Sequence, residues 1–529
     1  MCRSLGTQGN ATEGNPNGTR PPANLRGDRY ALFYQSVDTP FSSIQSMSSV
    51  PQQTPLNVMH NAVAQTRISL ISNFGKTVMM RGMRLLSIIV TISLFIACWQ
   101  TFYPRIPCNL FGANGHMMIL VLYAILVCFL SHTYNAFEVG MYRLSELVYS
   151  QNLADLISTG IIFVMVSICW SNIPNPIPLI GLIFIQALWN KVWSYLTNKL
   201  YFHMNPPEKT AIIYRNESDL HKLEQIKYFS NKFCVHKYIK DPSDIHHLIR
   251  EVEGCAVIFV AGVNATLRNG IAKYCVESGV QGYIAPHVGD VIMAGAKHMH
   301  MFSAPIMRVC RASLSLGDLF IKRAFDIVGS LIGIIIASPF MLGIALAIKL
   351  NDGGPVLYKQ VRLTRDHKEF NIWKFRSMHI DAEKDGVARL AAEDDDRITS
   401  VGKVIRAIRF DELPQLFNIL GGSMAIVGPR PERPEIAALY EKTIPAFSLR
   451  LQVKAGLTGY AQIYGRYNTE PYDKLQMDLM YINNISLAED LRLILATVKI
   501  LFMKESTAGI EGGQETAINE SDAASNESA

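Results

Sequence analysis

The chain has 529 residues, 49% of them hydrophobic, and a formal net charge of +6. That length allows about three or four domains, and the apolar fraction alone does not mark a membrane protein. The modest basic excess suits phosphate-bearing substrates or anionic headgroups, and the lack of a dense Lys/Arg block argues against nucleic acid as a partner. The nine cysteines stand singly, without a C-x-x-C pair, which argues against a zinc site and a disulfide framework.

Residues 1–66 are rich in Asn, Gly, Pro, Ser and Gln and are expected to form a disordered leader. Two glycosylation sequons, at Asn10 and Asn17, fall in it and are expected to stay unused on the cytoplasmic side. A cleaved secretory leader is not expected, because the first strongly apolar stretch begins only near Leu85. Four apolar stretches come next, at 85–103, 117–133, 153–170 and 177–196. Each is long enough for a bilayer-spanning helix, so residues 80–200 are read as four transmembrane helices rather than four buried soluble ones. Trp99, Trp170, Trp189 and Trp193 fall near the ends of these stretches, as amphipathic rings at an interface do. Arg67, Lys76, Arg81 and Arg84 precede the first stretch, and Arg143 separates the second from the third. The loop after the third carries no charge. The positive-inside rule therefore places the N-terminus and everything after the fourth span in the cytoplasm.

Residues 208–306 read as a Rossmann-like α/β domain. Short apolar runs at 211–214, 257–260 and 282–285 alternate with helix-patterned segments, which argues for a parallel sheet. No G-x-G-x-x-G follows the first strand, so no dinucleotide is assigned. From Lys322-Arg323 to Lys349 the chain turns strongly apolar, with Ser338-Pro339 in the middle. Basic residues flank both ends, and the proline removes one helical hydrogen bond. These features predict a re-entrant hairpin that enters the bilayer and turns back at Ser338-Pro339, in preference to a fifth span with a kink. The hydroxyl of Ser338 is placed to satisfy a carbonyl freed there.

The densest cluster of motifs lies beyond. Trp373-Lys374-Phe375-Arg376-Ser377-Met378 is followed by Arg406, Arg409 and the run Asp411-Glu412-Leu413-Pro414-Gln415. Val427-Gly428-Pro429-Arg430-Pro431-Glu432, Gly456-Leu457-Thr458-Gly459 and Asp478 complete it. Adjacent carboxylates on a helix point about 100° apart and can serve different groups. One can attack phosphorus, and the other can hold Mg²⁺ across substrate phosphates. Pro414 suits a first helical turn, which places the pair at a helix N-terminus. Lys374, Arg376, Arg406, Arg409 and Arg430 suit a diphosphate leaving group. An isolated Asp-Glu pair is equally compatible with a capped surface helix.

In this order, K-R-x-x-D at Lys322, Arg323 and Asp326, then Ser338-Pro339, K-F-R-S-M, D-E-L-P-Q, V-G-P-R-P and G-L-T-G resemble the bacterial polyprenyl-phosphate phosphoglycosyl transferases in their larger form. The resemblance covers about residues 80–508. It implies a membrane protein with a four-helix transmembrane bundle, a Rossmann-like α/β domain at 208–306, and a mainly α monotopic catalytic domain at 317–506 with a re-entrant hairpin. A disordered acidic tail at 507–529 is expected after it. The resemblance makes Asp411 the nucleophile, Glu412 the Mg²⁺ ligand, and Arg406 and Arg430 phosphate-binding residues, with Asp478 also on the substrate; Lys374 and Arg376 are placed there by their charge. It implies transfer of a sugar 1-phosphate from a UDP-sugar to undecaprenyl phosphate, with UMP released, at the inner membrane on its cytoplasmic side. The lipid bilayer is an expected partner, homo-oligomerisation is left open, and no nucleic acid is expected. Two departures stand out: Ala455 precedes Gly456 where proline is common, and Pro471-Tyr472 lies where a tryptophan is common. The sugar and the glycan pathway are not legible.

Overall fold

The computed structural model describes residues 55–104, 114–223, 230–301, 303–311, 315–379, 397–465 and 469–501, with side chains from Gly75 to Ile500 within them. The chain divides into two compact units between Ile71 and Ser72. The first contributes only helical backbone from Pro55, so both sequons and most of the leader fall outside the described residues, as does the tail. Every side chain described belongs to the second unit.

Four long helices come first: α1 (Pro55–Phe102), α2 (Gly115–Thr133), α3 (Leu144–Trp170) and α4 (Ile177–Met204). All four contribute to one core, built from residues such as Phe95, Tyr123, Ile162 and Leu182. Helix α3 begins at Leu144, well before the apolar run that starts at 153. Its early turns are polar because they face inward: Ser150, Gln151, Asp155 and Ser158 are buried. Asn190 of α4 donates to Asp155 Oδ2 at 2.8 Å and to Asn152 Oδ1 at 3.0 Å. Ser194 donates to Gln151 Oε1 at 3.1 Å. Hydrogen bonding of this kind is what makes buried polar side chains tolerable.

The α/β region contains strands β1 (Glu208–Tyr214), β2 (Phe233–Lys240), β3 (Val257–Ala261) and β4 (Gln281–Ile284). They form one parallel sheet in the order β2-β1-β3-β4. Helices α5 (Glu217–Leu223), α6 (Ile245–Val252), α7 (Ala265–Ser278) and α8 (Val288–Ala294) accompany it. An antiparallel hairpin, β5 (Lys297–Met301) with β6 (Ala304–Arg308), comes after α8. Strand β2 was not expected, because it sits at the sheet edge and alternates buried or half-buried residues with exposed Cys234, His236 and Tyr238 instead of presenting an apolar run.

The remaining region opens with α9 (Leu316–Asp352). Helix α9 continues through Pro339 to Asp352, so the Ser-Pro pair does not interrupt the helical stretch. Pro339 cannot donate to the Ile335 carbonyl, and the Ser338 hydroxyl donates to that carbonyl at 2.8 Å instead. Among the described residues α9 is one of five helices long and apolar enough to cross a membrane. It has the highest mean hydropathy of the five, and only 11% of its most apolar window is buried. Both ends of α9 nonetheless hold the same body. Near its start Arg323 donates to the carbonyls of Ile419 and Leu420, and Asp326 accepts the Ile426 N–H at 2.9 Å. At its end Asp352 pairs with Arg376.

That body contains the antiparallel pair β7 (Leu357–Leu363) and β8 (Glu369–Phe375), then α10 (Ser400–Ala407) and α11 (Gln415–Gly421). Strand β9 (Ala425–Val427), α12 (Pro434–Thr443), β10 (Gly456–Thr458), α13 (Tyr460–Tyr464), α14 (Pro471–Asn483) and α15 (Leu487–Leu501) complete it. Strands β9 and β10 run parallel and bring two motifs backbone to backbone. A Cβ on Gly456 would lie 2.1 Å from the Gly428 nitrogen, so this approach requires glycine. Helix α15 returns to the first helices: its Lys499 carbonyl accepts from the Tyr149 hydroxyl at 2.9 Å, and Leu495 packs on Leu130, Tyr134 and Leu153.

Candidate active site

Asp411 and Glu412 lie on a 3₁₀ turn, Phe410–Glu412, between α10 and α11. Thr399 caps α10 by accepting the Gly402 N–H. After α10 ends, Arg409 adopts a left-handed backbone, φ +55°, and redirects the chain. Pro414 then caps α11, so the carboxylates sit just upstream of the N-terminus of that helix. Phe410 and Leu413 pack into a cluster with Ile348, Phe375 and Ile405, and Phe410 also meets Phe340 of α9 edge-on. These apolar anchors fix the turn on either side of the two carboxylates.

Glu412 Oε1 accepts from Lys374 Nζ at 3.0 Å and from Arg430 Nη2 at 3.1 Å. Lys374 is brought there by β8, whose register is fixed by Asn418 of α11. The Asn418 side chain accepts the Trp373 N–H at 2.9 Å and donates to the Asn371 carbonyl at 2.8 Å. Burial opposes ionisation of Glu412, but Lys374, Arg430 and Arg409 outweigh it and hold its carboxyl well below the usual range. Asp411 goes the other way. Burial and the neighbouring Glu412 charge push it up to about 6, against the pull of Lys374, Arg406 and Arg430. The pair thus divides into a firmly ionised, cation-bound carboxylate and a more basic one beside it.

Of the expected site residues, the structure gathers Asp411, Glu412, Lys374, Arg406 and Arg430, with Arg409 alongside. Arg376 and Asp478 are engaged elsewhere. Arg376, though only two residues after Lys374, lies past the end of β8 and pairs with Asp352 at the foot of α9. Asp478 is 1% exposed and pairs with Arg450 at 2.7 Å. Burial raises it to about 6 despite Arg450.

Arg450 was not expected. It is buried, and its Nη2 also donates to the Arg430 carbonyl at 2.9 Å. Glu432, at the end of the V-G-P-R-P-E motif, lies 3.7 Å from Arg450 and 3.8 Å from Arg362. No local pattern distinguishes Arg450, because its partners lie 20 and 28 positions away. Lys322 and Asp490 were likewise unforeseen as partners. They form an ion pair, with Tyr481 and the Val427 carbonyl also on Lys322, and so tie α9 and α15 to the motif strand β9.

The arrangement offers a basic carboxylate, an ionised carboxylate and a ring of fixed cations, which suits attack on a phosphorus whose oxygens are neutralised by Lys and Arg. Among the described residues no group of three or more His, Cys, Asp or Glu could hold a metal alone. Mg²⁺ is commonly held by one or two carboxylates with substrate phosphates and water. Glu412 fits that role: its carboxyl is held ionised, and Lys374 and Arg430 both donate to its Oε1.

A family model described as bacterial sugar transferase matches residues 317–504. The chain is 41% identical over 185 residues to the UDP-N-acetylgalactosamine-undecaprenyl-phosphate N-acetylgalactosaminephosphotransferase of Aeromonas hydrophila, over 34% of this chain and 44% of the relative. It is 39% identical over 203 residues to the UDP-glucose:undecaprenyl-phosphate glucose-1-phosphate transferase of Escherichia coli K12, over 37% and 44%. It is 42% identical over 190 residues to the exopolysaccharide production protein PSS of Rhizobium leguminosarum, over 34% of this chain and 94% of that protein. The match thus spans less than half of the two longer relatives and nearly all of the third.

Proposed function

We propose that this chain, which belongs to the bacterial sugar transferase family, moves a sugar 1-phosphate from a UDP-sugar to undecaprenyl phosphate and so begins assembly of an exopolysaccharide, capsule or related glycan. The observation that carries the reading is the division of Asp411 and Glu412 within one cationic ring, on a turn packed against the second half of a largely uncovered apolar helix.

The reaction has two steps. An ionised oxygen of Asp411 attacks the phosphorus next to the sugar, and the bond from that phosphorus to the oxygen of UMP breaks. UMP leaves with the bond's electron pair, and an aspartyl phosphosugar remains. An oxygen of the lipid phosphate then attacks the same phosphorus, and the Asp411 carboxylate departs with the electrons of the acyl phosphate bond. The products are UMP and a polyprenyl diphosphate sugar. Splitting the transfer lets UMP leave before a second dianion approaches. The raised basicity of Asp411 favours attack, and Lys374, Arg406 and Arg430 offset the charge of the departing phosphate. Mg²⁺, held by Glu412 with Asp411 beside it, would neutralise phosphate oxygens. Lys374 and Arg430 keep Glu412 ionised for that task.

Placement at the membrane rests on three supports. Helix α9 buries little of its apolar surface within the protein. Its two ends ion-pair with the same body, Lys322 to Asp490 and Asp352 to Arg376, which favours re-entry on one side over a crossing. Helix α15 meets the turn between α2 and α3, where the Tyr134 carbonyl accepts from Lys499, and Arg143 marks that turn as cytoplasmic.

The test is UMP release by the purified full-length protein with undecaprenyl phosphate and a panel of UDP-sugars, including UDP-glucose and UDP-N-acetylgalactosamine. Without lipid, radiolabelled sugar phosphate should remain on the wild-type protein and be absent from Asp411→Asn. Sugar phosphate on the lipid with no protein adduct under rapid quench would refute the covalent route, and no turnover of any UDP-sugar would refute the reading.

A further inference from the structure

In open parallel sheets, ligands bind outside the carboxyl ends of the strands, at the point where strand order reverses. Here that point lies between β1 and β3. It is already filled. Gly262, just after β3, has φ +72°, and a Cβ there would lie 1.9 Å from Asp219 Oδ2. The same carboxylate accepts the Asn216 N–H at 3.2 Å, so an acid takes the place at the start of α5 that a phosphate would use.

The same end of the sheet is turned toward α14. Lys222 of α5 pairs with Glu470 at 2.9 Å and Asp473 at 3.3 Å, and Ser218 donates to Glu470 at 3.0 Å. From the loop after β4, the Pro286 carbonyl accepts from Gln476, and the Val288 N–H donates to the Tyr472 hydroxyl at 3.3 Å. The Val291 carbonyl of α8 accepts from Asn483 at 2.6 Å. The Val291 side chain, 4% exposed, packs into the same core as Leu475 and Leu479. At 100° per residue, Asp478 lies on roughly the opposite side of α14 from Gln476 and Asn483. There it pairs with Arg450, whose Nη2 also donates to the Arg430 carbonyl, and Arg430 in turn holds Glu412.

We infer that the Rossmann-like domain is a positioning element for the transfer site: it grips the outer face of α14 so that Asp478 and Arg450, on the inner face, hold the Arg430 loop over Glu412. Lys222 and Gln476 are therefore positioning contacts, with no substrate of their own. This rests on the transferase reading for its catalytic consequence, while the mechanical link stands apart from it.

The experiment uses the full chain in nanodiscs and reads amide hydrogen exchange across residues 428–433 together with UMP-release kinetics. Lys222→Glu sets like charges against Glu470 and Asp473. It should speed exchange in that loop about fivefold, the size expected from loss of a partly exposed ion pair. KM for the UDP-sugar should rise by a similar factor, and a lower yield of folded protein would change apparent kcat but not KM. Lys222→Arg should match wild type, and combining Lys222→Glu with Glu470→Lys and Asp473→Lys should restore both readouts. If Lys222→Glu fails to fold, Gln476→Ala should show the same direction of change in both. Wild-type exchange and KM in the folded variant, or a rise that the charge swap does not reverse, would overturn the inference. Faster loop exchange in a protein that turns over no UDP-sugar would uphold the link and remove the transferase reading instead.

Discussion

Replacing Asp411 by Asn should make the protein more stable while ending its activity. In the fold, burial and the adjacent Glu412 charge move the Asp411 carboxyl from 3.8 to about 6. That difference corresponds to about 3 kcal/mol of unfavourable interaction when the group is ionised. A carboxyl raised in the folded state costs nothing below its unfolded value, begins to cost as pH rises past it, and reaches its full cost above about 6. Asn keeps the size of the side chain and removes the charge. At pH 8 the variant should therefore melt about 8 °C above wild type, given the size of the catalytic region. The gap should close by about pH 4, where wild-type Asp411 is protonated. Transfer should fall at least about 10³-fold, as for loss of a covalent nucleophile. The assay is differential scanning fluorimetry across pH 4–8 in nanodiscs, with UMP release alongside. A variant that melts at or below wild type at pH 8, or a gap that does not change with pH, would refute the claim that Asp411 is held under electrostatic load.

The same geometry sets the outcome at other positions. Lys374→Met removes one of the two cations on Glu412. A hydrogen bond to a charged group is worth about 1.5–3 kcal/mol, so kcat/KM for the UDP-sugar should drop at least about tenfold. An unchanged value would remove Lys374 from the site. Arg376→Ala should lower the melting temperature and leave KM near wild type, because Arg376 pairs with Asp352; a KM effect without loss of stability would return it to the substrate. Ser338→Ala leaves the Ile335 carbonyl without its hydroxyl partner, at a cost of about 1–3 kcal/mol, read as reduced thermal stability in lipid. Gly456→Ala forces a methyl against the Gly428 nitrogen and should cost about 3 kcal/mol or more, visible as loss of protease resistance in the catalytic region.

The sequence disclosed what is written locally and hid what is written across distance. The four apolar stretches and the parallel strands at Ala211, Val257 and Gly282 were legible because side-chain periodicity reports them directly. The start of α3 was not, since Gln151 and Asp155 are polar yet face inward. The motifs around Asp411, Glu412, Lys374 and Arg430 were legible as a group, and the structure does gather them. Arg376 shows the limit of motif reading. Lys374 and Arg376 are two apart in one motif, yet β8 ends between them, so that Lys374 reaches Glu412 while Arg376 pairs with Asp352 of α9. Arg450, Asn418, Glu432 and Asp490 were passed over as partners because each acts on residues far along the chain, and a single sequence carries no record of that pairing.

Helix α15 gives the chain an order in time. It is translated after every other described element, yet it holds Lys322 through Asp490, caps the motif strand through the contact of Thr497 with Thr458, and touches the first helices at Tyr149 and Leu153. The early helices and the α/β domain can therefore form on the ribosome, but these ties close only once synthesis has passed residue 501. A nascent chain stalled before α15 would carry both acidic residues and still lack the ties that join α9, the motif strands and the first helices.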